Sequence, residues 1–310
     1  SDGGGTVASV AATFGQYQFV GELAKAAGSL VSGLMVTAGL GMGLDALGAL
    51  RVPVIFFGLA AFVKAYLYSR LSSAVEASAP QASGPQEKQD NCQIEGTERA
   101  HILCLDLGLR RSSVPFVMRL SALFALDAFG GGFTMLSFLA FYFRYRWQLE
   151  IAYTGAVLAC VNVVAGLSGM VSGSLVAKFG AVNTMVFTHL PSNILLMLVP
   201  LMPTCATAVA TIILRYTISQ MDVPARQAYV TMMVASDERS SAGGVTNIAR
   251  SIGLIFAPLM LGPFMAATPG SIAFDMPFYI GGSVKVVYDL MLWAHFNKVT
   301  RASSGIQFDL

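Results

Sequence analysis

Charged residues are scarce in this chain. Of its 310 residues only 12% are Asp, Glu, Lys or Arg, while 55% are hydrophobic; soluble domains contain about 25% charged residues. The mean hydropathy is +0.65, and several apolar runs reach the roughly 20 residues that a bilayer-spanning helix needs. These properties exclude an ordinary soluble domain and indicate a protein with several membrane spans.

Cysteines and histidines are also few. The four cysteines have neither CxxC nor metal-ligand spacing, and we interpret them as free thiols; they are Cys92, Cys104, Cys160 and Cys205. The three histidines are scattered and predict no metal site; they are His101, His189 and His295. The sequence therefore predicts neither a metal nor a cofactor.

Motifs of several other functions are missing. The chain has no G-x-x-x-x-G-K-[ST] loop for nucleotide phosphates, no Ser-His-Asp or Cys-His arrangement, and no basic patch suited to nucleic acid. We therefore predict no enzyme activity and no nucleic-acid partner. The chain begins at Ser1 without a basic segment followed by an apolar core, so no signal peptide is predicted.

The apolar runs predict eight membrane-spanning helices, because lipid forces backbone polar groups to pair within each segment. The predicted spans are Ala11–Leu40, Val52–Leu71, Val114–Tyr145, Ile151–Leu175, Thr184–Leu201, Cys205–Val234, Ala242–Ala267 and Met276–Phe296. The fold class is thus an all-α membrane protein.

One connection differs from the others in composition. Residues 72–113 are polar and rich in Ser and Pro, which predicts a largely disordered linker. The linker separates residues 1–71, with two spans, from residues 114–298, with six, and residues 299–310 form a tail. Basic residues near the span ends predict that the linker and the C-terminus are cytoplasmic. We expect the plasma membrane rather than an organelle membrane.

The first two spans resemble the last two. "LAKAAGSLVSGLM" from Leu23 aligns without gaps with "IARSIGLIFAPLM" from Ile248, at an offset of 225. "VPVIFFG" from Val52 aligns with "MPFYIGG" from Met276 at an offset of 224. Parallel repeats of six helices are a known transporter plan. The repeat therefore predicts twelve helices, of which the first four are missing from this sequence, and we expect it to be a fragment.

At these motifs the chain resembles the major facilitator superfamily. "GSLVAKFGAVNT" from Gly173 is similar to that family's G-x-L-a-D-R-x-G loop, with Lys178 in register and Ala177 at the acidic position. "ILRYTISQMDVPARQAYV" followed by "DERSSAGG" resembles the family's arginine-bearing helix and the segment after it. The resemblance implies a twelve-helix bundle, a secondary transporter that works by alternating access, and a gating function for the loop around Lys178.

Five polar residues of the sixth predicted span share one helical face, at i, i+4, i+7, i+11 and i+14. They are Arg215, Ser219, Asp222, Arg226 and Tyr229. A charge in mid-membrane costs at least about 2.5 kcal/mol, so this face must meet protein or water. Arg215 either binds an anionic solute or is a structural arginine. Asp222 and Arg226 are spaced to form a structural or gating ion pair.

Asp127, in "FALDAFGGGF", lies at mid-depth and shares a face with Thr134. A carboxyl group in a dry cavity can exchange protons near neutral pH, so Asp127 is a candidate for proton coupling. The alternative is a salt bridge with Arg215 or Lys285. The glycines that follow Asp127 permit close helix approach or a local break.

Three further pairs are spaced by one helical turn. We predict that Lys285 and Asp289 form a structural ion pair. Glu22 with Lys25, and Asn247 with Arg250 at the corresponding positions of the repeat, are either latches between the two halves or static packing polarity. We expect a monomer in the lipid bilayer that transports a small-molecule solute. A drug-type exporter and a non-transporting sensor or scaffold remain alternatives.

Overall fold

The computed structural model describes residues 6–70, 99–102 and 105–304. Most of the predicted linker, from 72 to 98, lies outside this range, as do Cys104 and the tail from 305. Ten α-helices are described, with two short strands between α2 and α3. The helices are α1 Val7–Gly41, α2 Ala46–Ser69, α3 Val114–Gly132, α4 Leu136–Trp147, α5 Ile151–Phe179, α6 Ala181–Leu198, α7 Cys205–Ser219, α8 Asp222–Met232, α9 Arg239–Met265 and α10 Ile272–Ser304.

The predicted all-α membrane architecture is confirmed. Six segments in the described residues are long and apolar enough to cross a membrane, counting α3 with α4 as one and α9 with the turn before it as one. The segments 205–232 and 272–304 are also helical, but a break shortens the first and several charges lie in the second. Helix α2 is exposed along most of its length, as expected of a helix that faces lipid.

Two predicted spans are each divided into two helices. The third span breaks after the glycines at 130–132, where α3 ends and α4 begins at Leu136. The sixth span breaks between Ser219 and Asp222, so its five polar residues do not lie on one continuous helix, and that prediction is wrong. Pro224 explains the break, because proline cannot donate to the carbonyl of Gln220 and its ring clashes with that group. At this break Ser172 donates to the carbonyl of Met221, at 2.7 Å.

A β-hairpin within the predicted linker was not expected from the sequence. Strand β1 (Arg99–Ile102) pairs antiparallel with β2 (Leu105–Arg110), which leads into α3. The buried Glu238 carboxylate accepts from the backbone N–H of Arg110 and, at 2.8 Å, from Ser113. The Arg110 guanidinium lies 3.2 Å from Asp237. These contacts attach the hairpin to the start of α9.

Glycines allow α1 to pack closely along α5, and we call this contact the α1–α5 seam. A Cβ atom on Gly15 would lie 2.6 Å from the carbonyl oxygen of Gly169, and one on Gly155 would lie 2.9 Å from that of Ser29. The predicted packing role of the small residues in α5 is visible at Gly173, where a Cβ would lie 2.7 Å from Ala12. The seam therefore joins the two repeat units over most of the membrane thickness.

A second close helix contact joins α9 to α3. Helix α9 packs on α3, and a Cβ on Gly253 would collide with the carbonyl oxygen of Ala125. A Cβ on Gly28, at the corresponding sequence position in α1, would have no heavy atom of the described residues within 4 Å. Gly253 therefore tests a helix contact, and Gly28 is a glycine of similar sequence without one.

Gly253→Ala should destabilise the protein by about 1–3 kcal/mol, because the added methyl group forces α9 away from α3. The matched variant Gly28→Ala should be neutral or stabilising by up to about 1 kcal/mol, because alanine favours the helix and has open space. The free energy of unfolding in detergent measures both. Equal effects of the two variants would contradict the described α3–α9 packing.

Candidate functional site

Asp127 is the centre of a buried ion network. Its Oδ1 accepts from Lys285 Nζ at 2.6 Å, and its Oδ2 accepts from Arg226 Nη1 at 3.0 Å and from Arg250 Nη1 at 3.1 Å. The side chains of Asp127, Arg226 and Lys285 are less than a tenth exposed, while that of Arg250 is 31% exposed. One carboxylate of α3 thus binds cations of α8, α9 and α10.

The local sequence explains why these side chains converge. Helices α9 and α10 both pack on α3, with Gly130 against Gly281 and Gly132 against Ala257. Such close backbone contacts bring long cationic side chains within reach of a short carboxylate. Each of the three cations lies close to a carboxylate and so escapes the cost of an unpaired charge in a buried site.

A second carboxylate centre joins the network through a histidine. His189 Nδ1 lies 2.8 Å from Asp289 Oδ1, and Asn193 Nδ2 donates to Asp289 Oδ2 at 2.9 Å. His189 Nε2 lies 3.5 Å from Lys285 Nζ and 3.8 Å from Asp127 Oδ1. His189 was not predicted from the sequence to be part of a site. Its signal was the i, i+4 spacing of His189 and Asn193, which places both side chains on one face of α6.

One predicted pair is wrong: Lys285 does not pair with Asp289, because its ammonium reaches Asp127 while Asp289 is bound by His189 and Asn193. Of the two partners considered for a salt bridge with Asp127, Lys285 is present and Arg215 is not. Arg226 and Arg250 bind the same carboxylate and were not expected. Spacing on one helix could not anticipate partners from other helices.

Other predicted pairs do come together. Arg226 Nη1 lies 3.4 Å from Asp222 Oδ2, as the i, i+4 spacing predicts. Lys25 Nζ donates to Glu22 Oε1 at 2.7 Å. Asn247 is exposed, and Arg250 turns away from it to Asp127. The pairs at corresponding repeat positions are therefore arranged differently in the two units.

The remaining predicted residues lie apart from the ion network. Arg215 is 6% exposed and stacks on the ring of Tyr216 at 4.8 Å. Its Nε has no hydrogen-bond partner, and no described carboxylate lies within ion-pair distance. Ser219 is buried at the end of α7, and Thr134 is buried in the break between α3 and α4. Lys178 is exposed, with its ammonium over Phe179.

A cavity of about 780 Å³ lies between the two repeat units, and residues of α1, α2, α4 and α5 line it. Its wall is mostly apolar, with Phe56, Phe57, Phe141 and Tyr145 as aromatic members. The volume is within the range of small-molecule pockets, about 300–1,000 Å³. None of the predicted solute-pathway residues Asp127, Thr134, Arg215 and Ser219 lines this cavity.

Two cations and several polar groups also line the cavity. The side chain of Lys25 is 61% exposed, and only Glu22 pairs with it. Arg144 donates to the carbonyl of Leu149 at 3.1 Å. Asn162 of α5 donates to the hydroxyl group of Ser29 in α1, at 3.4 Å, across the α1–α5 seam. The cavity thus combines an apolar body with an excess of positive charge.

Metal binding finds no support in this arrangement. Within residues 6–70, 99–102 and 105–304, no group of three or more His, Cys, Asp or Glu side chains is placed to hold a metal ion. The buried carboxylates of Asp127 and Asp222 face cations.

A helical membrane protein with two repeat-related units and a cavity between them has the architecture of a transporter. The profile of the Major Facilitator Superfamily matches residues 3–258, and the chain belongs to this superfamily of membrane transporters. An uncharacterised membrane protein of Saccharomyces cerevisiae, YJR124C, is 21% identical over 291 residues, which cover 90% of this chain and 64% of the yeast protein. The chain thus spans less than two thirds of that relative's length. No solved structure matched the chain.

Asp127→Asn should destabilise the protein strongly, because three cations would face a group that no longer neutralises them. Removing one partner of a buried ion pair costs about 3–5 kcal/mol. Asp237→Asn is the matched control, because it breaks an exposed pair with Arg110, and such pairs contribute about 0–1 kcal/mol. Denaturant unfolding measures both variants, and a small, equal effect would contradict the described network.

Proposed function

We propose that this protein is a secondary active transporter that moves a small organic anion by alternating access of its two repeat units. The cavity between the units is the observation that supports this proposal. Its apolar and aromatic wall suits the body of an organic solute, and Lys25 and Arg144 suit an acidic group on it. Solute sites of repeat-built transporters lie at the interface of the repeats, near the middle of the membrane.

Lys25 is the better placed of the two cations to bind the solute. It is largely exposed and has one carboxylate partner, which lies on its own helix. An ammonium with three donors can bind a second anion while it keeps the first. Arg144 already donates to a backbone carbonyl, and its remaining donors are available.

The α1–α5 seam joins the two units, so any movement of one unit against the other acts on this contact. It combines close glycine packing with a hydrogen bond from Asn162 to Ser29. A second polar contact of α1, from Gln18 to Gln220 at the break between α7 and α8, lies outside the seam. Glu22 also packs in the α1–α5 seam, against Gly166. A Cβ atom added to Gly166 would lie 3.1 Å from the Cβ of Glu22. We propose that the Glu22–Lys25 pair links the seam to the cavity, so that a solute on Lys25 changes a contact between the units.

Proton coupling is the energy source that the buried network supports. The network contains three carboxylates, three cations and one imidazole. Charged side chains in a membrane are costly and mark ion or proton pathways. We propose that Asp127 is the anchor of this pathway. The proposal includes function as a monomer in the plasma membrane, with the linker and the C-terminus in the cytoplasm.

A drug-type exporter is the second candidate function. The aromatic side chains of Phe56, Phe57, Phe141 and Tyr145 favour it, because aromatic walls bind apolar compounds without a fixed geometry. An exporter of this type would need no cation in the cavity.

Lys25→Gln should lower the affinity for organic anions by about tenfold, which corresponds to a loss of about 1.4 kcal/mol. Counterflow in proteoliposomes with a panel of carboxylates and matched neutral amides measures the change. Lys64→Gln is the control, because Lys64 is an exposed cation of α2 outside the cavity. Phe57→Ala should lower the affinity for the carboxylates and for the neutral amides alike.

Two outcomes would contradict the anion proposal. If Lys25→Gln leaves carboxylate counterflow unchanged, the cavity cation does not bind the solute. If neutral apolar compounds move and carboxylates do not, and only Phe57→Ala affects them, the exporter is the better description.

A further inference from the structure

One buried imidazole connects the two carboxylate centres of the network. His189 is 4% exposed. One of its ring nitrogens lies 2.8 Å from Asp289, and the other lies 3.5 Å from the ammonium of Lys285 and 3.8 Å from Asp127. It is therefore placed between an anion on one side and a competing cation on the other.

The charge of the network balances when His189 is neutral. Three carboxylates face three cations; the carboxylates are Asp127, Asp222 and Asp289, and the cations are Arg226, Arg250 and Lys285. Arginine stays charged in proteins, and imidazole is the side chain whose charge changes nearest to neutral pH. His189 is thus the member whose protonation adds one positive charge to a balanced network.

The neighbours of His189 determine its neutral tautomer. An ammonium has donors but no acceptor, so the Nε2 that faces Lys285 is the unprotonated acceptor. The hydrogen then lies on Nδ1 and is donated to Asp289. A proton that binds Nε2 converts this acceptor into a donor and places two positive charges side by side.

We propose that His189 is the proton-binding residue of the transport cycle, and that protonation of its Nε2 replaces Lys285 by His189 as the partner of Asp127. The proton comes from the aqueous phase and returns to it, and no other bond changes. This inference rests on the proposed function. It adds the residue at which a bound proton exchanges the ion pair between α3 and α10 for one between α3 and α6.

The exchange changes which helices Asp127 holds together. Lys285 belongs to α10 and His189 to α6, so protonation removes the ion pair between α10 and α3 and forms one between α6 and α3. Arg226 and Arg250 keep α8 and α9 on Asp127 in both states. The added positive charge also offsets the negative charge of an entering anion, which is the electrostatic condition for moving both together.

All charged groups near His189 take part in this balance. Helix α10 presents Lys285, Tyr288 and Asp289, α3 presents Asp127, and α8 presents Asp222 and Arg226, which contact Asp127 or each other. Helices α7 and α5, which also pack on α6, contain one charged residue each, Arg215 and Lys178.

Nitrogen NMR of labelled histidine in lipid nanodiscs tests the protonation directly. The double variant His101→Gln with His295→Gln leaves His189 as the single histidine of the chain and alters no residue of the network. We expect Nε2 to be unprotonated at the alkaline end and protonated at the acidic end of a series between about pH 5 and 8. Adding Lys285→Met removes the competing ammonium, and the same titration then shows whether that ammonium governs the proton on Nε2.

Transport gives the second readout. In proteoliposomes His189→Gln should abolish the acceleration of organic-anion uptake by an inward proton gradient but retain counterflow, whereas His295→Gln should keep both. If His189 stays neutral throughout the series, with and without Lys285→Met, the proposal is overturned. Gradient-driven uptake that survives in His189→Gln overturns it as well. If no anion moves in the unmodified protein, the proposed function fails, and the NMR titration alone decides the proton site.

Discussion

The pairing of Asp127 with three cations is the interaction on which the second repeat unit depends. Asp127 is the shared counter-ion of Arg226, Arg250 and Lys285, so four helices meet at one carboxylate. An apolar cluster lies on each side of it, one around Phe124 and Tyr229 and one around Phe138 and Phe278. Without the carboxylate, three cations would lie between two apolar layers, where an unpaired charge is costly.

The two repeat units use the same sequence positions in different ways. In α9, Asn247 lies one helical turn before Arg250 and supplies no charge. Arg250 reaches across to Asp127. In α1 the corresponding position is Glu22, which binds Lys25 within the helix. Lys25 therefore stays at the cavity between the units, while Arg250 is part of the buried network. Two corresponding cations of similar helices therefore lie in different surroundings, one at a cavity and one in a buried ion network.

The fold class and six of the eight predicted spans could be predicted from the sequence, because they follow from hydropathy and length. The Asp222–Arg226 and Glu22–Lys25 contacts could also be predicted, because helix geometry fixes the i, i+3 and i, i+4 neighbours. The Asp127–Lys285 contact was one of two alternatives, but Arg226 and Arg250 as partners of Asp127, and the partners of Asp289, could not be predicted. They lie on other helices, and one sequence without relatives does not show which faces meet. His189 was missed for the same reason. The break at Gln220 had a local cause, Pro224, but a kink and an interruption look alike in a sequence.

A double-mutant cycle between Asp127 and Lys285 tests the central claim most directly. The free energy of unfolding is measured for the unmodified protein, Asp127→Asn, Lys285→Met and the double variant in the same lipid environment. A direct buried ion pair predicts that the two effects are strongly non-additive, with an interaction energy of about 1–3 kcal/mol, because Lys285→Met does less harm once the carboxylate is gone. Effects that add to within about 0.5 kcal/mol would show that the two residues do not interact and would contradict the account.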